Sequence, residues 1–164
     1  WRLLPRPRLP TTRRSSISPP ASAAELRARA LRLLARREHS RAELGRKLSR
    51  YAESSEAIEV LLTELEKRKQ LSDERFASER ARWLSRKYGA ARIRQDLKSK
   101  GVDREFIDRI SSEGELERAS GILKRKYREP ATSREERAKR ARFLQSRGFS
   151  FDVIRCLLSS REAG

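Results

Sequence analysis

"LKSKGVDREFI" (97–107) and "LQSRGFSFDVI" (144–154) are one sentence written twice, 47 residues apart. Each runs Leu, two polar residues, a basic residue, Gly, an apolar residue, three variable residues, an apolar residue, Ile. Such a string marks the join of two helices. The Gly ends the first helix, where a positive φ is cheap for it. Val102 or Phe149 packs into the joint, and Asp103 or Ser150 opens the next helix as a cap. Phe106-Ile107 and Val153-Ile154 then face a core. A weaker third copy, "LSRYAESSEAI" (48–58), keeps the Leu–Ile spacing but has Tyr51 at the basic position and Ala52 at the Gly. A period of 47 to 49 residues lies just beyond those of helical solenoid arrays. One such unit is too small to bury its own core well, so neighbours stack. The expectation is an all-α chain of three tandem helical units in an elongated, curved body.

Helix signals fill in the units on either side of these joints. "SAAE" (22–25), "SRAE" (40–43) and "SREE" (133–136) each place Ser three residues before Glu, the spacing of a capping box. "LSDERF" opens a further helix at Ser72 or Asp73. Apolar residues then recur at helical spacing: Leu26, Ala30, Leu33 and Leu34; Leu44 and Leu48; Ala57, Ile58, Leu61, Leu62 and Leu65. Phe76, Trp83 and Leu84 fall on a shared side. No stretch alternates with period two over strand length. About nine short helices are expected, in units at 23–71, 72–112 and 113–160.

Residues 1–22 differ from the rest: they hold five of the six prolines, five arginines and no acid. That composition supports neither helix nor core and reads as a disordered tail. It also fits a transit peptide or a gene-start artefact. The 164-residue chain carries a net charge of +18, and discounting the five tail arginines still leaves +13. The fold itself is therefore basic, which favours nucleic acid first, then an acidic protein face or an anionic membrane, as partner. One Cys and one His exclude an internal disulfide framework and a His/Cys metal cluster. A reducing, cytoplasmic setting, no cofactor and no membrane span follow as expectations.

"LSDERFASERARWLSRKYGAARIRQDLKSKGV" (71–102) closely resembles the RecX family of RecA regulators. So does "KRARFLQSRGFSFDVIRCLL" (139–158), and "RREHSRAELGRKL" (36–48) looks like the family's first unit. The Asp-Glu-x-x-Phe-Ala opening, the Gly-x-x-Arg-Ile turn and the Arg-Gly-Phe-Ser terminus occur in the family's order. The resemblance covers about residues 25 to 159. It implies tandem three-helix repeats and binding to the groove of the RecA filament on single-stranded DNA. It further implies suppression of strand exchange, ATP hydrolysis and co-protease activity. Cys156 departs from it, standing where a basic residue is expected.

Read from the residues alone, the chain acts by binding. No Gly-rich phosphate loop occurs. His39, just before a helix cap, reads as a local structural or surface residue, and Cys156, beside Ile154, Leu157 and Leu158, as a buried inert thiol. The carboxylates lie among Lys and Arg at helical spacing, as solvated ion pairs do. The basic residues make the candidate site: Arg92, Arg94, Lys98 and Lys100 in the middle unit, Lys139, Arg140, Arg142 and Arg147 in the last. Stacked units place equivalent helices in register, so these charges form a stripe suited to a line of phosphates or acidic loops. Arg80, Arg82, Arg86 and Lys87 decorate the preceding helix. Trp83 and Tyr88 offer base-stacking rings, but the phase of Trp83 with Phe76 and Leu84 favours the core. Charge and repetition alone give an elongated basic helical adaptor; with the partner the resemblance implies, the first functional expectation is a monomeric, non-enzymatic inhibitor of RecA, with direct DNA contact plausible on charge grounds. The alternatives are a general nucleic-acid-binding repeat protein without a recombinase partner and a nucleic-acid enzyme with cryptic carboxylates.

Overall fold

The computed structural model describes residues 20–159, and most of the basic N-terminal segment lies outside them. Among the described residues the chain forms nine α-helices and no strand: α1 (Ala23–Leu34), α2 (Arg41–Leu48), α3 (Ser55–Lys67), α4 (Asp73–Leu84), α5 (Ala90–Ser99), α6 (Arg104–Asp108), α7 (Glu115–Lys126), α8 (Arg134–Ser146) and α9 (Phe151–Ser159).

Each consecutive triplet encloses its own core. Leu26, Ala30, Leu44, Leu48, Ile58, Leu61, Leu62, Leu65 and Leu71 close the first unit. Phe76, Ala77, Leu84, Ile93, Leu97 and Val102 close the second, and Ala119, Ile122, Leu144, Phe149 and Ile154 the third. The helical stripes are buried as their spacing demands, except at the edges: Leu33 and Leu34 are half-buried and Ala57 is exposed. Short helices in such small cores are marginal alone, so the caps carry weight. Ser22, Ser40, Ser54, Ser72 and Ser133 each accept the N3 backbone N–H of the following helix. Only Ser22–Glu25 completes the reciprocal box. Glu43 turns instead to Arg37 at 2.6 Å, and Glu136 accepts from the Thr132 N–H at 2.9 Å. Asp103 sits at the N-cap of α6 without a side-chain cap bond, whereas Ser150 accepts the Val153 N–H at 3.3 Å.

The repeated sentence is the α5–α6 joint and the α8–α9 joint; its weak copy is the α2–α3 joint. Gly101 and Gly148 hold φ of 72° and 80°. At the first, Val102 N–H donates to Leu97 O and Gly101 N–H to Lys98 O; at the second, Phe149 N–H donates to Leu144 O and Gly148 N–H to Gln145 O. This is the paired bonding of a Schellman cap, which requires a left-handed residue at the Gly position. A third such cap ends α3, with Lys69 at φ 57° in the Gly role and bonds from Gln70 N–H to Leu65 O and Lys69 N–H to Glu66 O. It lies outside the repeated string.

The glycines also lock one unit to the next. A Cβ on Gly101 would stand 2.5 Å from the Ala42 Cβ of the first unit, and one on Gly148 would stand 2.5 Å from Arg92 N and Cβ of the second. The residue before each Gly presents its carbonyl to the N-terminus of the same preceding helix. Ser40 Oγ donates to Lys100 O at 2.6 Å, and Gly89 N–H donates to Arg147 O at 2.9 Å. A carboxylate completes each joint. Asp73, first in α4, accepts the Arg41 N–H of α2 at 2.7 Å, and buried Glu115, first in α7, accepts the Ala90 N–H of α5 at 2.5 Å. Each carboxylate thus satisfies an orphan amide at a helix N-terminus of the unit before it, where the helix dipole favours an anion. Burial pushes the Asp73 carboxyl above its ordinary range; the Arg41 amide opposes that shift and the Asp103 charge adds to it. The weak copy carries Ala52, which does not adopt a positive φ, so the end of α2 needs no glycine there; Tyr51 O, just before it, accepts the Ala21 N–H at 2.8 Å.

Candidate binding surface

The eight basic residues singled out from sequence do not behave alike. Arg92, Lys98, Lys139 and Arg142 have exposed side chains on α5 and α8. Arg92 and Lys139 are repeat equivalents, each nine residues before its joint glycine. Lys100 is half-buried, and its carbonyl serves the joint with the first unit.

The other three hold the fold together. Arg94 is half-buried and donates to Ile110 O at 2.5 Å, tying α5 to the end of its unit. Arg147 is half-buried, donates to Lys87 O at 3.0 Å and lies over Phe143 at 4.7 Å and Tyr88 at 5.7 Å, bridging units two and three. Arg140 is a correction to the surface stripe. It is 7% exposed, donates to Glu129 O at 2.8 Å and stacks on Tyr127 at 4.6 Å. The reason is register. Arg140 is eight residues before Gly148, as Ile93 is before Gly101, and Ile93 is a core residue. Counting the repeat back from its glycine would have found this.

Two further expectations change, those for Trp83 and Cys156, while His39 is the local structural residue expected. Trp83 is 56% exposed and not in the core. Its phase with buried Phe76 is right, but burial at that face depends on what the neighbouring unit covers. Cys156 is exposed, because only Ile154 of α9 is fully buried and Leu157 and Leu158 are half-covered. His39 is 1% exposed, with Nδ1 3.0 Å from Arg37 O and Nε2 3.0 Å from Lys47 Nζ. The lysine ammonium has only protons to give, so Nε2 accepts and Nδ1 carries the hydrogen of a neutral ring. Burial holds His39 below its ordinary pKa, and the adjacent Arg37 and Lys47 charges act in the same direction.

Carboxylates take up much of the remaining positive charge. Arg80 is held by Asp96 through two bonds of 2.7 and 3.0 Å, and Arg41 by Glu59 and Glu66. No group of three or more His, Cys, Asp or Glu among the described residues is disposed to hold a metal ion, and no helix there is long and apolar enough to cross a membrane.

Three three-helix units joined by glycine locks, with exposed cations along the second helices, define a helical-repeat protein. The models of the first, second and third three-helix domains of RecX match residues 27–65, 72–109 and 113–158 in order. The chain belongs to the RecX family. It is 45% identical over 140 residues to the regulatory protein RecX of Herbaspirillum seropedicae, covering 84% of this chain and 89% of that one. It is 42% identical over 137 residues to that of Leptothrix cholodnii, covering 81% and 87%. Its fold is similar to the crystal structure of RecX from Lactobacillus salivarius, with a TM-score of 0.73 at 19% identity over 85% of this chain and 96% of that one.

Proposed function

We propose that this chain binds the RecA filament on single-stranded DNA and inhibits it without catalysing a reaction. The observation that carries the reading is the ordered match of all three RecX domains along one chain. Exposed cations at equivalent positions of successive units, Arg92 and Lys139, with Lys98 and Arg142 beside them, support it. A repeat whose joints fix the spacing of its charges is suited to a partner that also repeats. Contacts spanning several protomers shift the filament only if they differ between its states.

The test is RecA ATPase on single-stranded DNA with the protein added far below one copy per protomer. A filament inhibitor lowers the rate at such ratios. A nucleic-acid binder without a recombinase partner lowers it only when the DNA lattice approaches saturation, and that result would replace this reading.

A further inference from the structure

Among the described residues Trp83 is one of two aromatic rings left exposed, with Phe151. Phe76, seven residues earlier on the same face of α4, is 3% exposed, while Trp83 is 56% exposed. Arg37 and Glu38 of the first unit approach that face, leaving a shallow cavity of about 170 Å³ lined by both, Phe76, Glu79, Arg80 and Trp83. A space of this order accommodates one aromatic ring: about 150 Å³ holds a benzene.

The indole is supported from within. The Arg80 guanidinium lies over it, 5.7 Å from the ring centroid, and is fixed there by its two bonds to Asp96 of α5. Cations flank the ring along the chain: Arg82 precedes it, and Arg86 and Lys87 follow just beyond the end of α4, all exposed. The Arg80–Asp96 pair also sets the packing register of α4 against α5. Exposed Arg92, one turn before Asp96, therefore lies towards the C-terminal end of α4. Two negative groups border the cavity: Glu38, paired with Arg75 at 2.8 Å, and Glu79. They leave the side of Arg86, Lys87 and Arg92 as the approach free of acids. A supported aromatic platform among cations is what sequence-tolerant single-stranded nucleic-acid sites use: bases stack on the ring while the backbone follows the charges.

We propose that Trp83 is a base-stacking contact for single-stranded DNA, with Arg86, Lys87 and Arg92 receiving the flanking phosphates. The proposal deepens the filament reading and rests on it only for the choice of single-stranded DNA as ligand.

The Trp1→Phe chain keeps Trp83 as its sole tryptophan, so its emission reports on the site. Titration with a short oligothymidylate at low salt should quench that emission in step with binding measured by anisotropy. Trp83→Ala should weaken oligothymidylate binding by about 5- to 150-fold, the range of one stacked base. The salt slope should stay at the parental value, because no phosphate contact is removed. Trp83→Tyr should retain most of the affinity, and circular dichroism should show all variants folded. Any of three results overturns the proposal: no binding of oligothymidylate by the parent, unchanged emission at saturation, or parental affinity in Trp83→Ala. Emission that responds to RecA without DNA, and not to oligothymidylate, would assign the ring to an apolar pocket of a protein partner instead. Each of these outcomes leaves the RecA ATPase test of the filament reading standing separately.

Discussion

Gly101→Ala, alone and combined with Ala42→Gly, tests whether the repeated glycine is a lock between units or only a helix terminator. Two costs are superimposed at Gly101. Its φ of 72° lies in the left-handed region, where an L side chain costs about 1 kcal/mol or somewhat more. The new Cβ would also stand 2.5 Å from the Ala42 Cβ, and overpacking of that kind costs about 1–3 kcal/mol. The single variant should therefore lose about 2–4 kcal/mol. Ala42→Gly alone should lose about 1 kcal/mol, because it puts Gly inside α2. The double variant removes the clash but keeps the strained φ. It should lose about 2 kcal/mol, not the 3–5 expected from adding the single effects. The coupling is then about 1–3 kcal/mol in favour of the pair, well above the scatter of independent sites. Urea unfolding followed by far-ultraviolet circular dichroism measures all four corners of the cycle. For a chain of this size about 1 kcal/mol moves Tm by roughly 2–4 °C, so the single variant should also melt visibly earlier. Additive losses within about 0.5 kcal/mol would mean that Gly101 and Ala42 do not touch in solution. The interlock, and the account of why the sentence recurs, would then be refuted.

Lys69→Gly should raise stability by about 1 kcal/mol, since the lysine holds φ 57° at a Schellman cap that a glycine adopts without strain; an unchanged urea midpoint would count against that geometry. His39 is held below its reference pKa of 6.5 by burial, so the folded state favours the neutral ring. Its contribution is complete above that value and is lost as the pH falls through the depressed folded value. The drop in urea midpoint on acidification should accordingly flatten in His39→Gln, and a parental pH profile in that variant would reject the assignment. Arg140→Glu should lose about 3–5 kcal/mol by placing an anion against Glu129 O and the Tyr127 ring. Combined reversal of Arg92, Lys98, Lys139 and Arg142 to Glu should instead leave the melting curve near the parental one. It should weaken filament binding with a shallower salt dependence, and binding as before would remove these four residues from the interface.

The fold was legible where chemistry is local. A glycine ten residues from nothing apolar carries little information, but a glycine four after Leu and six before Ile, twice, fixes a helix end and the residues that pack beneath it. Serines before helical stripes marked four of the nine described starts. What stayed hidden depended on the neighbouring unit. Asp73 and Glu115 look like ordinary acids in a first helical turn, and nothing local says that each caps a helix of the preceding unit. Trp83 shares the phase of Phe76, yet phase gives direction and not cover. Cys156 sits among leucines, but α9 packs on α7 and α8 with Ile154 as its buried residue, and Cys156 stays exposed. Arg140 was legible in principle: the same count that placed the glycines places it at the core position of Ile93.

The joints also decide what the cations can do. Arg92 offers its backbone to Gly148 while its side chain stays exposed, so the position of one surface charge is fixed by the same contact that fixes the next unit. Arg147, immediately before Gly148, turns its guanidinium back onto Lys87 O of the preceding unit. The equivalent Lys100 contributes its carbonyl to Ser40, and the first joint gains its charged ties elsewhere, from Arg75 to Glu38 at 2.8 Å. Both joints therefore spend positive charge on internal order. The cations left for a partner are those at positions the lock does not use, and they stand at a spacing the lock sets. A variant that loosens a joint while sparing every exposed Arg and Lys, such as Gly148→Ala, should then weaken filament binding with no change in the protein's net charge. Binding at parental strength by a variant shown to be destabilised would mean that the partner reads each unit separately, and that the spacing of the units is not what it recognises.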